Sequence, residues 1–138
     1  MDKLLIGIAL AALAIPVRAE LVVIVNPKNP AASMSAEQVA QVFLGRSTSF
    51  PGGGAATPLD QKEGVAVRDE FYTKVADKNP GQVKAYWAKQ MFSGNGSPPR
   101  ELGSSADVKR AVAADPSAIG YVEKGSVDSS VKGVLTVP

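Results

Sequence analysis

The chain has 138 residues with neither cysteine nor histidine, which removes disulfides, thiolate and imidazole metal sites, Ser-His-Asp triads and Cys-His pairs together. Its 15 Lys plus Arg against 13 Asp plus Glu give a formal net charge of +2 with no basic block, since Lys74, Lys78, Lys84 and Lys89 alternate with acids or recur at helical spacing. Nucleic-acid binding needs a concentrated positive face and is not expected.

In chain order, Met1 to Ala19 reads as a targeting segment: Lys3 near the start, an apolar run from Leu4 to Ile15, then Val17-Arg18-Ala19 before a cleavage point. The run is short for a membrane span, and an uncleaved anchor is the alternative. No cysteine follows it, so a lipoprotein anchor is excluded. Residues 20–138 then form one domain able to bury a core without staples.

Leu21 to Val25 is a continuous apolar run, as in a strand covered on both faces. After Asn26-Pro-Lys-Asn-Pro30, Ser35 caps a helix, Gln38 returns the capping box and Met34 staples to Val39. Val39, Val42 and Phe43 form its buried stripe, and Gly45 ends it. Arg46 to Ala56, with Pro51-Gly-Gly-Gly54, reads as a surface loop.

Thr57 to Asp60 is expected as the second strand, followed by a polar turn ending at Gly64 and an amphipathic helix with Val67, Phe71 and Val75 inward. Glu70 and Lys74 are spaced for an ion pair. Asn79-Pro80 opens the next helix, whose inward stripe is Val83, Trp87 and Met91. Ser93 to Pro99 is a second loop, and Ser104 caps a helix through Val108, Ala111 and Val112 that ends at Asp115-Pro116. Ala118 to Val122 is a buried strand and Val134 to Val137 a last edge strand. Strands alternating with helices indicate an α/β layer.

The strand–turn–helix from Thr57 to Tyr72 is the first candidate site. A helix start leaves unpaired amide donors and the positive end of a macrodipole, so an anion held there meets several donors at once.

Several stretches together resemble the second lobe of the phosphate-type solute-binding proteins of bacterial ABC importers. They are Met34-Ser-Ala-Glu-Gln-Val-Ala-Gln-Val-Phe-Leu-Gly45, the strand–turn–helix, and Ala118-Ile-Gly-Tyr-Val122 after Asp115-Pro116. Tyr86-Trp87, Phe92-Ser-Gly94 and Pro98-Pro-Arg-Glu-Leu-Gly103 resemble a group of small, single-lobe relatives. The resemblance implies a three-layer single lobe of the type 2 periplasmic binding-protein fold, a mixed sheet of about four to five strands with helices on both faces. It also implies an exported, non-enzymatic protein with a phosphate-like oxyanion ligand, no cofactor or metal, and a membrane importer or sensor as partner.

In the phosphate binders the corresponding turn resembles Arg-x-Asp-Gly-Ser-Gly-Thr, whereas this chain has Asp60-Gln-Lys-Glu-Gly-Val-Ala66. Gly64 is kept, Val65 and Ala66 lack hydroxyls, and Glu63 adds negative charge. Each hydrogen bond lost to a charged oxyanion is worth about 1.5–3 kcal/mol, so tight phosphate binding by this lobe alone is not expected. The expected ligand contacts are Gln61, Lys62 and Arg68 with the amides at Gly64 and Val65. Arg100, Ser104 and Ser105 form an opposite wall.

Each has a plain alternative: Gly64 as a helix-entry conformation, Arg68 as a solvated helix residue, Ser104 as a cap. Asn26 and Lys28 follow the first strand, at the end where open α/β sheets place crevices, and are otherwise a solvated loop. Trp87 fits the core, and Tyr86 beside it is available to a partner surface. Asp60, Glu63 and Glu101 are candidates for paired carboxylates, but polar loops contain such pairs routinely and no aromatic sugar platform accompanies them. A lobe that normally closes on another leaves one face open, which suits a homodimer or a membrane-bound partner. The second reading is an interaction or sensory module that keeps the fold without the ligand.

Overall fold

The computed structural model describes residues 20–138, so the expected targeting segment lies outside it. The elements run β1 (Leu21–Val25), α1 (Ala36–Phe43), β2 (Thr57–Gln61), α2 (Ala66–Ala76), α3 (Pro80–Phe92), β3 (Arg100–Leu102), α4 (Ser105–Ala114), β4 (Ala118–Glu123), a short 3₁₀ turn (Lys124–Ser126) and β5 (Lys132–Val137). The five strands form one mixed sheet in the order β3-β2-β4-β1-β5. β2 runs parallel to both β3 and β4, whereas β1 is antiparallel to β4 and β5.

Alternation along the strands distributes side chains to two layers. Leu21, Val23, Val25, Ile119 and Tyr121 face the helices α1, α2 and α3, packing on Val39, Phe43, Phe71, Val83 and Trp87. Val22, Ile24, Leu59, Ala118 and Val122 face α4 through Val108 and Val112. The sheet is therefore covered on both faces, the three-layer α/β architecture that the resemblance implies. At the centre, Phe71 stacks on Tyr121 with ring centroids 4.0 Å apart and meets Phe43 edge-on at 4.7 Å. Gly120 lets α4 come close: a Cβ there would collide with Val108 Cγ1.

Local signals place most boundaries. Ser35 and Gln38 make the reciprocal capping box of α1, and Asn79 with Gln82 makes one for α3, whose first residue is Pro80. Glu70 and Lys74 pair at 3.3 Å. Three points differ from the sequence reading. β3 is not expected from its composition; three residues of mixed polarity carry no periodicity, and β3 exists because Leu59, Asp60 and Gln61 of β2 pair with it. Met91 is 52% exposed rather than inward, because α3 outlasts the layer beneath it and its last turn, with Phe92, stands free. Asn26 lies at the end of the sheet where the parallel strands begin, not at their carboxyl ends. β1 is antiparallel to β4, so its end meets the start of the parallel strands, where the Asn26 amide donates to Val112 O and Ala113 O, each at 3.0 Å, and closes the end of α4.

Candidate functional site

The carboxyl ends of β2 and β3 lie side by side, and each strand leads directly into a helix start. From β2, Lys62 to Val65 form a four-residue turn in which the Val65 amide donates to Lys62 O at 3.2 Å. Gly64, third in that turn, has φ +93°, the backbone state of a type II turn that strongly favours glycine. Space around its Cα is open. Lys62 N donates to Leu102 O at 3.1 Å, which ties the turn to the end of β3.

α2 starts without a side-chain cap, because its N-cap residue is Val65. In α1, α3 and α4 a Ser or Asn oxygen accepts an amide in the first turn. At α2 the amides of Ala66 and Val67 have no protein acceptor among the described residues, and those of Arg68 and Asp69 both turn back to Val65 O. Two free donors and the helix dipole therefore meet at an exposed turn.

Behind the turn sits a buried polar network. Asp60, 2% exposed, accepts from Tyr72 Oη at 2.5 Å, from Tyr121 Oη and from Gln61 N at 2.8 Å. Burial pushes the Asp60 pKa up, and the two tyrosine hydroxyls, Arg68 and the Gln61 amide pull against that shift. Both tyrosine pKa values are raised, first by burial and then by the adjacent Asp60 charge, so the hydroxyls stay protonated and donate. Arg68 Nη1 reaches Glu101 Oε2 at 3.0 Å, Gln61 O at 2.9 Å and Asp60 Oδ2 at 3.5 Å. Burial lowers the Arg68 pKa, but Asp60, Tyr72, Glu101 and Tyr121 outweigh it and the net shift is upward.

Gln61 joins the two helix starts. The β2–β4 ladder ends at Pro58–Ile119, and beyond it Gln61 Nε2 donates to Tyr121 O at 2.9 Å and to Ser105 Oγ at 3.1 Å. Its Oε1 is buried without a partner among the described residues.

The sequence-derived residues thus divide. Gln61, Lys62, Gly64, Val65, Arg68 and Ser105 are brought to one end of the sheet, and Ser104 beside them caps α4 by accepting from Asp107 N at 3.2 Å. The Val65 amide is used inside the turn, and the Arg68 guanidinium is already held by carboxylates. Arg100 lies at the other end of the short strand β3, opposite Leu59, and lines a cavity away from the Gly64 turn. Tyr86 donates to Leu44 O at 2.7 Å and so locks α3 to the end of α1. Sequence reading missed Tyr72 and Tyr121 as polar anchors. Both sit beside or within apolar stretches that read as core, and Asp60, an acid in a segment read as a strand, is the available signal.

No family model and no curated protein matches this chain. Among solved structures, an ABC-type phosphate transport receptor from Vibrio cholerae is similar with TM-score 0.66 and 20% identity over 84% of this chain and 46% of its own. A putative phosphate ABC transporter substrate-binding protein with bound phosphate from Clostridium perfringens gives 0.65 and 23%, covering 84% and 45%. PstS from Borrelia burgdorferi gives 0.63 and 13%, covering 84% and 47%. The chain shares the fold of these phosphate ABC transporter proteins and spans under half of their length. These neighbours are solute-binding proteins rather than enzymes.

Proposed function

We propose that this chain is an exported, non-enzymatic binding domain that takes a small phosphate-like oxyanion at the Gly64 turn, weakly or together with a second protein surface. The observation that carries the reading is the uncapped start of α2, whose Ala66 and Val67 amides are free at an exposed glycine turn. The fold shared with phosphate transport proteins supports it, and Lys62 beside the turn adds an exposed cation.

Weak binding follows from the surroundings. Val65 and Ala66 supply no hydroxyl, the Val65 amide is engaged, and Glu63, Glu101 and Asp69 place negative charge nearby. Two or three absent hydrogen bonds at about 1.5–3 kcal/mol each correspond to several powers of ten in affinity. A second copy or a membrane importer or sensor supplying donors across the open end of the sheet would restore them.

The saturation of Arg68 by Glu101 and Asp60 favours a second reading, a ligand-free interaction or sensory module with the same fold. A thermal-shift panel of phosphate, sulfate, molybdate and small carboxylates at millimolar concentration separates the two. A ligand that binds only the folded state raises Tm by mass action. A rise with tetrahedral oxyanions that Lys62→Ala abolishes supports binding at the turn; no rise, with a concentration-dependent dimer in sedimentation, supports the module.

A further inference from the structure

A sizeable cavity lies away from the Gly64 turn. It lies at the opposite end of β2, with a volume of about 470 Å³. β3 pairs only with Leu59 to Gln61, so Thr57 and Pro58, paired with β4 on one side, have no strand on the other among the described residues. The helical layers above and below leave a gap there, with walls formed by Val42, Phe43, Leu59 and Trp87. For scale, an engineered apolar cavity of about 150 Å³ accommodates benzene, and small-molecule sites span roughly 300–1,000 Å³.

The lining combines an aromatic wall with one cation unpaired among the described residues. Trp87 is 6% exposed, yet its indole Nε1–H has no acceptor among the described residues. That nitrogen is itself closed off from solvent, so Trp87 presents ring surface rather than a donor to the cavity. Arg100 lines the same cavity, and its guanidinium takes part in no ion pair or hydrogen bond among the described residues, unlike that of Arg68. The wall also carries one acid, Asp115, whose Oδ1 is engaged by Ser117 N and Oγ at 2.9 and 2.8 Å.

We propose that this cavity is a binding site for a small monocarboxylate with an apolar body, the carboxylate pairing with Arg100 and the apolar part filling the space beside Trp87. A guanidinium recognises a carboxylate bidentately, and the apolar lining rewards burial of an aromatic or branched group. Asp115 on the same wall repels multiply charged anions, so phosphate is a poor ligand here. Trp87 also lines a cavity beside the turn with Glu63, Arg68 and Asp69, but no polar group is shared between the Arg100 cavity and the Gly64 turn.

Phenylacetate titrated into the intact protein, with phenylacetamide as its neutral isostere, tests this by calorimetry and by NMR shift mapping. Saturable phenylacetate binding is expected, with shifts at Trp87 Nε1–H and around Arg100, and with phenylacetamide at least tenfold weaker. Arg100 is exposed, so Arg100→Gln is expected to keep the fold, checked by an unchanged Tm, and to weaken phenylacetate at least tenfold. Ala111→Phe, which fills the cavity from α4, should abolish binding without moving the response to phosphate. No saturable binding in the wild type, or equal affinity in Arg100→Gln, overturns the proposal.

Discussion

Tyr72→Phe removes one oxygen from the network behind the candidate site and changes nothing else in volume. Tyr72 Oη donates to Asp60 Oδ2 at 2.5 Å, and its ring is packed edge-on to Phe71 at 5.1 Å, so the aromatic contact survives the substitution. Asp60 keeps Tyr121 Oη, the Gln61 amide and the more distant Arg68. The loss is one hydrogen bond to a buried charged acceptor, about 1.5–3 kcal/mol. For a domain of this size that lowers Tm by roughly 5–15 °C. Urea unfolding by circular dichroism, read as a midpoint shift at constant m, measures it. Tyr121→Phe in the same experiment should cost a similar amount, and the double variant should lose more than the sum, because Asp60 is then nearly stranded. A Tyr72→Phe variant within about 0.5 kcal/mol of wild type, the scatter of ordinary substitutions, would refute the bonding pattern.

Four other outcomes follow. Gly64→Ala meets no atom within 4 Å but must hold φ +93°, so it should cost about 1–3 kcal/mol in the same unfolding assay without disturbing the core. Gly120→Ala has ordinary dihedrals but drives a methyl into Val108 on α4, and about 1–3 kcal/mol of overpacking is expected. Because burial raises the Asp60 pKa above 3.8, its charged form penalises the fold; the stability of wild type relative to Asp60→Asn should fall as pH rises from about 4 through the folded pKa and level off above it, checked by urea midpoints across that range. Glu101→Gln releases Arg68 from its 3.0 Å partner, and phosphate affinity at the turn should rise several-fold by calorimetry.

Sequence patterns go far for the fold because its elements carry strong local signals. The runs Leu21–Val25 and Ala118–Val122 are too apolar for anything but buried strands, and the Ser35 and Asn79 caps fix two helix starts from side-chain chemistry alone. Where local signal and tertiary demand part, reading fails. β3 is held by its neighbour rather than by its own residues, and Met91 lies in register with Val83 and Trp87 on a helix that runs past its support. At the site, spacing along the chain places Gln61, Lys62, Gly64 and Arg68 together, since seven or fewer residues separate them. It does not show that Glu101, from another strand, occupies Arg68, or that Tyr121 and Tyr72 converge on Asp60 across sixty-one and twelve residues. The Glu101 and Tyr121 contacts depend on the parallel pairing of β2 with β3 and β4, which no local pattern encodes.

The central claim is that an oxyanion is held by the free amides at the start of α2. Amide-resolved NMR during a phosphate titration tests it most directly. The expected result is saturable shifts at Gly64, Ala66 and Val67, with little change at Ser104 or Asn79, whose helix starts are capped. Shifts confined to other residues, or none at saturating phosphate with or without a second copy of the chain bound, would contradict it.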